Sequence, residues 1–168
     1  MSKTATYALI ASTTGTGSSG TISFTSIPAT YTDLIVVCAP RLTSGASNVF
    51  MEFNGDTATN YSTTILTGTG SAASSTRYTS ATKAYVDYNA YADATNNENI
   101  IVHIMDYANT TTNKTIISRS NNAGTGVDAN VSLWRKTPEA INQIRIYQAN
   151  NFATSSTFKL YGIQAGNA

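Results

Sequence analysis

Short runs of β-forming residues, each broken by a cluster of Gly, Ser, Thr or Asn, follow one another along almost the entire chain. A chain punctuated so often cannot build long helices, and it must bury its apolar residues by pairing strands into sheets. Candidate strands fall at residues 7–11, 21–27, 33–41 and 49–54, then at 61–67, 76–80 and 84–89. They resume at 100–107, 114–119, 130–135, 143–148 and 157–163. Several alternate with a period of two. Ile144 and Ile146 share a face opposite Arg145, and Phe158, Leu160 and Gly162 oppose Lys159, Tyr161 and Ile163. Such alternation belongs to antiparallel sheets with one face on a core. Residues 34–38 and 100–105 form nearly continuous apolar runs and read as central strands covered on both sides. The expected fold is all-β, an antiparallel β-sandwich of the jelly-roll or a related Greek-key type. Leu34, Val36, Ile101, Ile144, Ile146, Phe158 and Leu160 are its expected core.

One segment leaves the choice of element open. Between residues 83 and 95, Tyr85, Tyr88 and Tyr91 recur every three residues. That spacing suits a helical turn, whereas a strand would place Tyr85 and Tyr91 on one face and Tyr88 on the other. The glycine- and serine-rich stretches 15–20 and 67–75 read as loops, the second long and flexible. At 168 residues with 41% hydrophobic content, the chain suits one domain, residues 1–168, with its own core. No repeat of 20–50 residues is present.

The charge content excludes several classes of function. Only 11% of residues are charged and the net charge is +1, against roughly 25% charged in an ordinary soluble domain. The cations are scattered, Arg135-Lys136 being their closest run. Nucleic acid is not an expected partner, because phosphate binding needs several cations converging on one groove. No stretch approaches the ~18 apolar residues of a membrane helix, so no membrane partner is expected. Residues 1–11 contain a short apolar patch but no signal-peptide core, which predicts synthesis in a cytosol without secretion through a signal peptide. Cys38 is the single cysteine; it lies in the apolar run 34–38, where a thiol behaves as a small buried hydrophobe.

Candidate chemistry is sparse. His103 is the only histidine, so no second imidazole can complete a metal site or a triad with it. Strand alternation puts it on an apolar face with Ile101 and Met105. Glu52 and Asp56, like Asp87 and Asp93, are close in sequence, as a two-carboxylate glycosidase site would require only in space. The oxygen-rich stretch from Asp93 to Asn99 lacks the spaced acids and turn glycine of a calcium loop. Gly15, Gly17 and Gly20 fit a G-x-G-x-x-G string but precede a strand, where the dinucleotide fingerprint follows one. No catalytic, cofactor-binding or metal-ligating residue is assigned, and the chain is not expected to be an enzyme. The ten tyrosines are the suggestive excess. With Ser, Gly and Asn they make the palette of adaptable recognition surfaces, and Tyr78, Tyr85, Tyr88 and Tyr91 are the densest group, suited to stacking on sugars or docking on another protein.

Two stretches carry a resemblance. Residues 53–62, Phe-Asn-Gly-Asp-Thr-Ala-Thr-Asn-Tyr-Ser, resemble a segment recurrent in small virion proteins and tail-fibre domains of tailed bacteriophages. Residues 152–163, closing on Ser-Thr-Phe-Lys-Leu-Tyr-Gly-Ile, are similar to the end of the same group, and residues 31–37 fit its early strand. The resemblance spans roughly residues 31–163. It implies a β-sandwich carried on phage particles. Without shaft repeats or a coiled-coil stalk, the chain fits a capsid decoration (cement) protein, whose partner is the major capsid protein and which sits as a homotrimer on the head. The alternative is a tail-fibre or receptor-binding module for a host surface glycan. The motif residues are structural, and no catalytic residues come with them.

Overall fold

The alternation in the sequence resolves into antiparallel sheets in the computed structural model, which describes residues 6–164. The strands are β1 Tyr7–Thr14, β2 Thr21–Phe24, β3 Asp33–Ala39, β4 Ala46–Ser47, β5 Phe50–Phe53, β6 Tyr61–Gly68 and β7 Ala73–Ala81. The second half adds β8 Ala84–Tyr85, β9 Ala92–Asp93, β10 Asn99–Ile104, β11 Lys114–Asn122, β12 Gly126–Trp134, β13 Ile144–Tyr147 and β14 Thr157–Ile163. There is no helix among the described residues. Eight strands form one sheet in the order β1-β14-β3-β10-β11-β12-β6-β7, four form a second in the order β2-β13-β5-β8, and β4 pairs with β9. All paired strands run antiparallel. The fold is all-β, as the sequence implied. The two sheets contribute their inner faces to one core cluster, in the manner of a β-sandwich. The eight-and-four division does not name it a jelly roll.

Six of the seven expected core residues, Leu34, Val36, Ile144, Ile146, Phe158 and Leu160, are fully buried. Ile101 is not: it is 39% exposed, while its neighbours Ile100 and Val102 point inward. The expectation that β3 and β10 are covered on both faces is therefore wrong on one side. Both strands are central, but the smaller sheet covers only the inner face, and Val37 and Ile101 look outward.

The resembling motifs occupy structural joints. Asn54 (φ 51°) and Gly55 (φ 68°) both adopt left-handed backbone, and the Asp56 amide closes the turn on the Phe53 carbonyl at 2.9 Å. Asn-Gly suits two successive positive-φ positions, and here the tight turn carries the chain from β5 in the smaller sheet toward β6 in the larger. The Asp56 carboxylate accepts hydrogen bonds from Trp134 Nε1 (2.6 Å), Asn60 Nδ2 (2.9 Å) and the Ala58 amide (3.0 Å). The Tyr61 hydroxyl donates to the Asp56 carbonyl and accepts from the Phe53 amide, each at 3.1 Å. In the closing motif Phe152 and Phe158 pack edge to face at 4.8 Å. Gly162 leaves room for the Tyr31 ring, whose nearest atom would stand 2.2 Å from an added Cβ.

Two loop expectations need correction. The expected long flexible loop at 67–75 is a short hairpin connection between β6 and β7, closed by the Thr69 amide on the Ala72 carbonyl at 3.0 Å, with Gly70 at φ 85°. Serine and threonine there extend β7 instead of loosening it. Residues 83–95 are neither helix nor continuous strand. They form β8, an irregular crossing and β9, anchored where Asp128 accepts the amides of Tyr88 and Ala90 at 2.8 Å. Residues 1–5 of the N-terminal apolar stretch lie outside the described residues.

Candidate binding surfaces

The outward face of the eight-stranded sheet gathers what a folded domain normally hides. Every large hydrophobic side chain that is exposed among the described residues lies on it. Tyr7 and Leu9 come from β1, Val37 from β3, Ile101 from β10 and Ile117 from β11; Val127, Val131 and Leu133 come from β12 and Leu66 from β6. The strand registers align them in rows. One row runs Tyr161, Ile35, His103, Ile117 and Val131 across five neighbouring strands. The next runs Lys159, Val37, Ile101, Arg119, Ala129 and Leu66 across six. Single exposed hydrophobics are ordinary, but a contiguous patch marks an interaction site. Two open hollows of about 690 and 700 Å³ indent this face and meet at Ile101 and Arg119.

Charge on the face is sparse and one-sided. Its carboxylate, Asp33, is engaged: Oδ2 lies 2.9 Å from His103 Nε2, and Oδ1 accepts the Asp106 amide at 2.7 Å. His103 therefore shares the outer face with Ile101, as the alternation implied, but as the partner of Asp33. Arg77, Arg119 and Lys159 are exposed and form no ion pair with a described residue.

The tyrosine group assembles in part. Tyr78 and Tyr85 stack at 4.4 Å with planes 8° apart, and the Tyr88 hydroxyl meets that of Tyr78 at 3.2 Å. Phe50 meets Tyr85 edge-on at 5.1 Å and lies 5.7 Å from Tyr147. Lys83 sits 3.7 Å above the Phe50 ring and Arg145 4.3 Å above Tyr147, with Glu52 holding Arg145 at 3.0 Å. Tyr91 is not a member. Strand pairing in the four-stranded sheet lines up Tyr147, Phe50 and Tyr85; β7 adds Tyr78, and the irregular crossing after β8 adds Tyr88. Phe50, Arg145 and Tyr147 were missed because they lie on β5 and β13, and Lys83 because it stands in the turn before β8.

The acids hold structural positions. Burial raises the Asp56 carboxyl, but the hydrogen bonds from Trp134, Asn60 and Ala58 outweigh it and hold the group below its ordinary value. Asp93 accepts the amides of Thr95 and Asn96 at 2.6 Å and the amides of Asn96 and Asn122 side chains. Against some burial, these bonds bring its pKa down to about 2. The oxygen-rich stretch is thus a turn wrapped on Asp93. No group of three or more His, Cys, Asp or Glu residues among the described residues is arranged to hold a metal ion.

Asp87 and Glu98, by contrast, are fully buried near one another. Asp87 Oδ1 accepts the Val49 amide at 2.8 Å, but no donor from elsewhere reaches Asp87 Oδ2 or either Glu98 oxygen. Burial, then the neighbouring Asp87, pushes the Glu98 carboxyl up to about 12; burial also raises Asp87. Nothing in the loop-like composition around Glu98 signals this burial. Cys38 is buried as expected, its thiol raised first by desolvation and then by Glu98.

No described helix is long and apolar enough to cross a membrane. No protein-family model matches the chain, and no curated protein matches it in sequence.

Proposed function

We propose that the chain is a non-catalytic structural protein of a tailed-phage particle, a capsid decoration protein that binds the outer head surface and stabilises the shell. The observation that carries this reading is the segregation of exposed apolar side chains onto the outward face of the eight-stranded sheet. A face of that kind serves contact with another macromolecule. The phage assignment rests on the resemblance at residues 53–62 and 152–163, whose members here brace a turn and a closing strand. The protein would be made in the host cytoplasm and act on the virion, with the major capsid protein as partner and three copies grouped on the head. Low charge limits repulsion when many copies crowd one shell.

A second reading is favoured by the aromatic cluster of Tyr78, Tyr85, Tyr88, Phe50 and Tyr147: a receptor-binding module that stacks on a host surface glycan. One experiment separates them. Particles assembled without a decoration protein rupture at lower temperature than complete ones, because a protein bound across intact subunits favours the closed shell. Particles lacking an adhesin keep their heat resistance and lose adsorption to the host. Unchanged rupture temperature together with lost adsorption would replace the first reading by the second.

A further inference from the structure

We infer that the outward face of the eight-stranded sheet docks a foreign protein surface that is apolar and carries a carboxylate opposite Arg119; the inference rests on the decoration reading and names the chemistry of its contact. Size comes first. Eight strands spaced ~4.8 Å apart span about 34 Å, and seven residues of strand about 23 Å. The footprint of about 800 Å² equals what each partner contributes to a stable protein interface.

Charge then selects the occupant. Arg119 stands where the two hollows meet, between Ile101 on β10 and Ala129 on β12. Any partner filling both hollows strips water from its guanidinium, and a dehydrated cation without a counter-charge is strongly unfavourable. The face cannot supply that charge itself, since Asp33 is held by His103 and the Asp106 amide. A second copy laid face to face fails for the same reason: it brings three more unmatched cations and no free carboxylate. Phosphate backbones fit no better. Lys159 and Arg119 are three strands apart, with Val37 and Ile101 between them, about 14 Å at the usual strand spacing, so they do not converge. A glycan would leave its hydroxyls unpaired over Val37, Ile101 and Ile117. An apolar protein ridge bearing an Asp or Glu satisfies both the hollows and the arginine.

The test uses the full chain, fluorescently labelled and titrated onto phage heads assembled without it. The variants are Arg119→Glu and Val131→Ser, and Thr154→Ala as a control in the exposed loop before β14, away from both hollows. Arg119 and Val131 are exposed, so urea unfolding midpoints close to wild type establish that the variants fold. Expected are at least a tenfold loss of affinity for Arg119→Glu, a several-fold loss for Val131→Ser, and wild-type binding for Thr154→Ala. Wild-type affinity in both face variants overturns the docking face while leaving the decoration reading intact. Failure of the wild-type chain to bind heads removes the decoration reading and the proposal with it. A stable dimer of the free chain that Val131→Ser dissociates would give the face to a second copy and overturn the foreign partner.

Discussion

Replacing Glu98 by Gln tests the buried acid pair through the pH dependence of folding. The wild-type carboxyl is fully buried, and burial with the Asp87 charge raises it from 4.5 to about 12. In the unfolded chain the group ionises near its ordinary value, while the folded chain keeps it protonated. Its contribution to stability is therefore complete below about pH 4.5 and is lost progressively as pH rises toward the folded value. One retained proton gives a slope of about 1.4 kcal/mol per pH unit, so stability falls by about 4 kcal/mol from pH 5 to pH 8. That is a large part of the roughly 5–15 kcal/mol of a small domain. Asp87 is raised too, and its share acts in the same direction. Asp56, Asp93 and Glu139 are lowered and act oppositely. Their contribution is lost as pH falls through their folded values and is fully present above about pH 5.

Glu98→Gln keeps the volume, removes the titrating group and brings an amide N–H able to donate to Asp87 Oδ2, which has no other donor. The variant should match wild type within about 1 kcal/mol at pH 5 and exceed it by up to about 4 kcal/mol at pH 8. Urea unfolding at pH 5, 6, 7 and 8, followed by the fluorescence of the buried and sole tryptophan, Trp134, measures the difference. All other titrating groups are common to both chains, so only those coupled to residue 98 alter the gap. A gap that stays constant with pH would refute the shared burial of Asp87 and Glu98.

Leu160→Ala, at a fully buried site, should destabilise by about 2–5 kcal/mol. The half-exposed Ile101 should cost under about 1 kcal/mol on the same change; equal losses in chemical denaturation would show that the outer face is covered. Gly55→Ala meets no atom within 4 Å but must hold φ 68°, which predicts a loss of about 1–2 kcal/mol from backbone strain alone. Gly162→Ala must also displace the Tyr31 ring and should cost about 1–3 kcal/mol, with a near-ultraviolet circular dichroism change absent from the Gly55 variant.

How much of this was legible depends on whether a feature lives in one strand or between strands. The period-two alternation at Ile144, Ile146, Phe158 and Leu160 fixes the face of each strand locally, and all four are buried. The aromatic cluster depends on β5 pairing with β8 and β13 and on where the chain crosses after β8, which no local period encodes. Asp87 meets Glu98 because the crossing after β8 is tied to Val49 while the Glu98 amide is tied to the Pro40 carbonyl just after β3, and no local pattern encodes either contact.

The mistaken burial of Ile101 has a different cause. Runs apolar on both faces, such as those in β3 and β10, imply that something covers both sides of the strand. Within one chain the four-stranded sheet covers only the inner side. Val37, Ile101 and Ile117 remain half-exposed on central strands, the positions where an isolated domain gains least from apolar side chains and risks most by association. Their presence is explained if the outer cover comes from outside the chain. Arg119 in their midst then limits the cover to a surface bringing negative charge, since an uncharged apolar cover would bury the guanidinium unpaired. Under the proposed docking, the continuous apolar runs describe burial in an assembly, and the half-exposed positions mark where the single chain meets its partner.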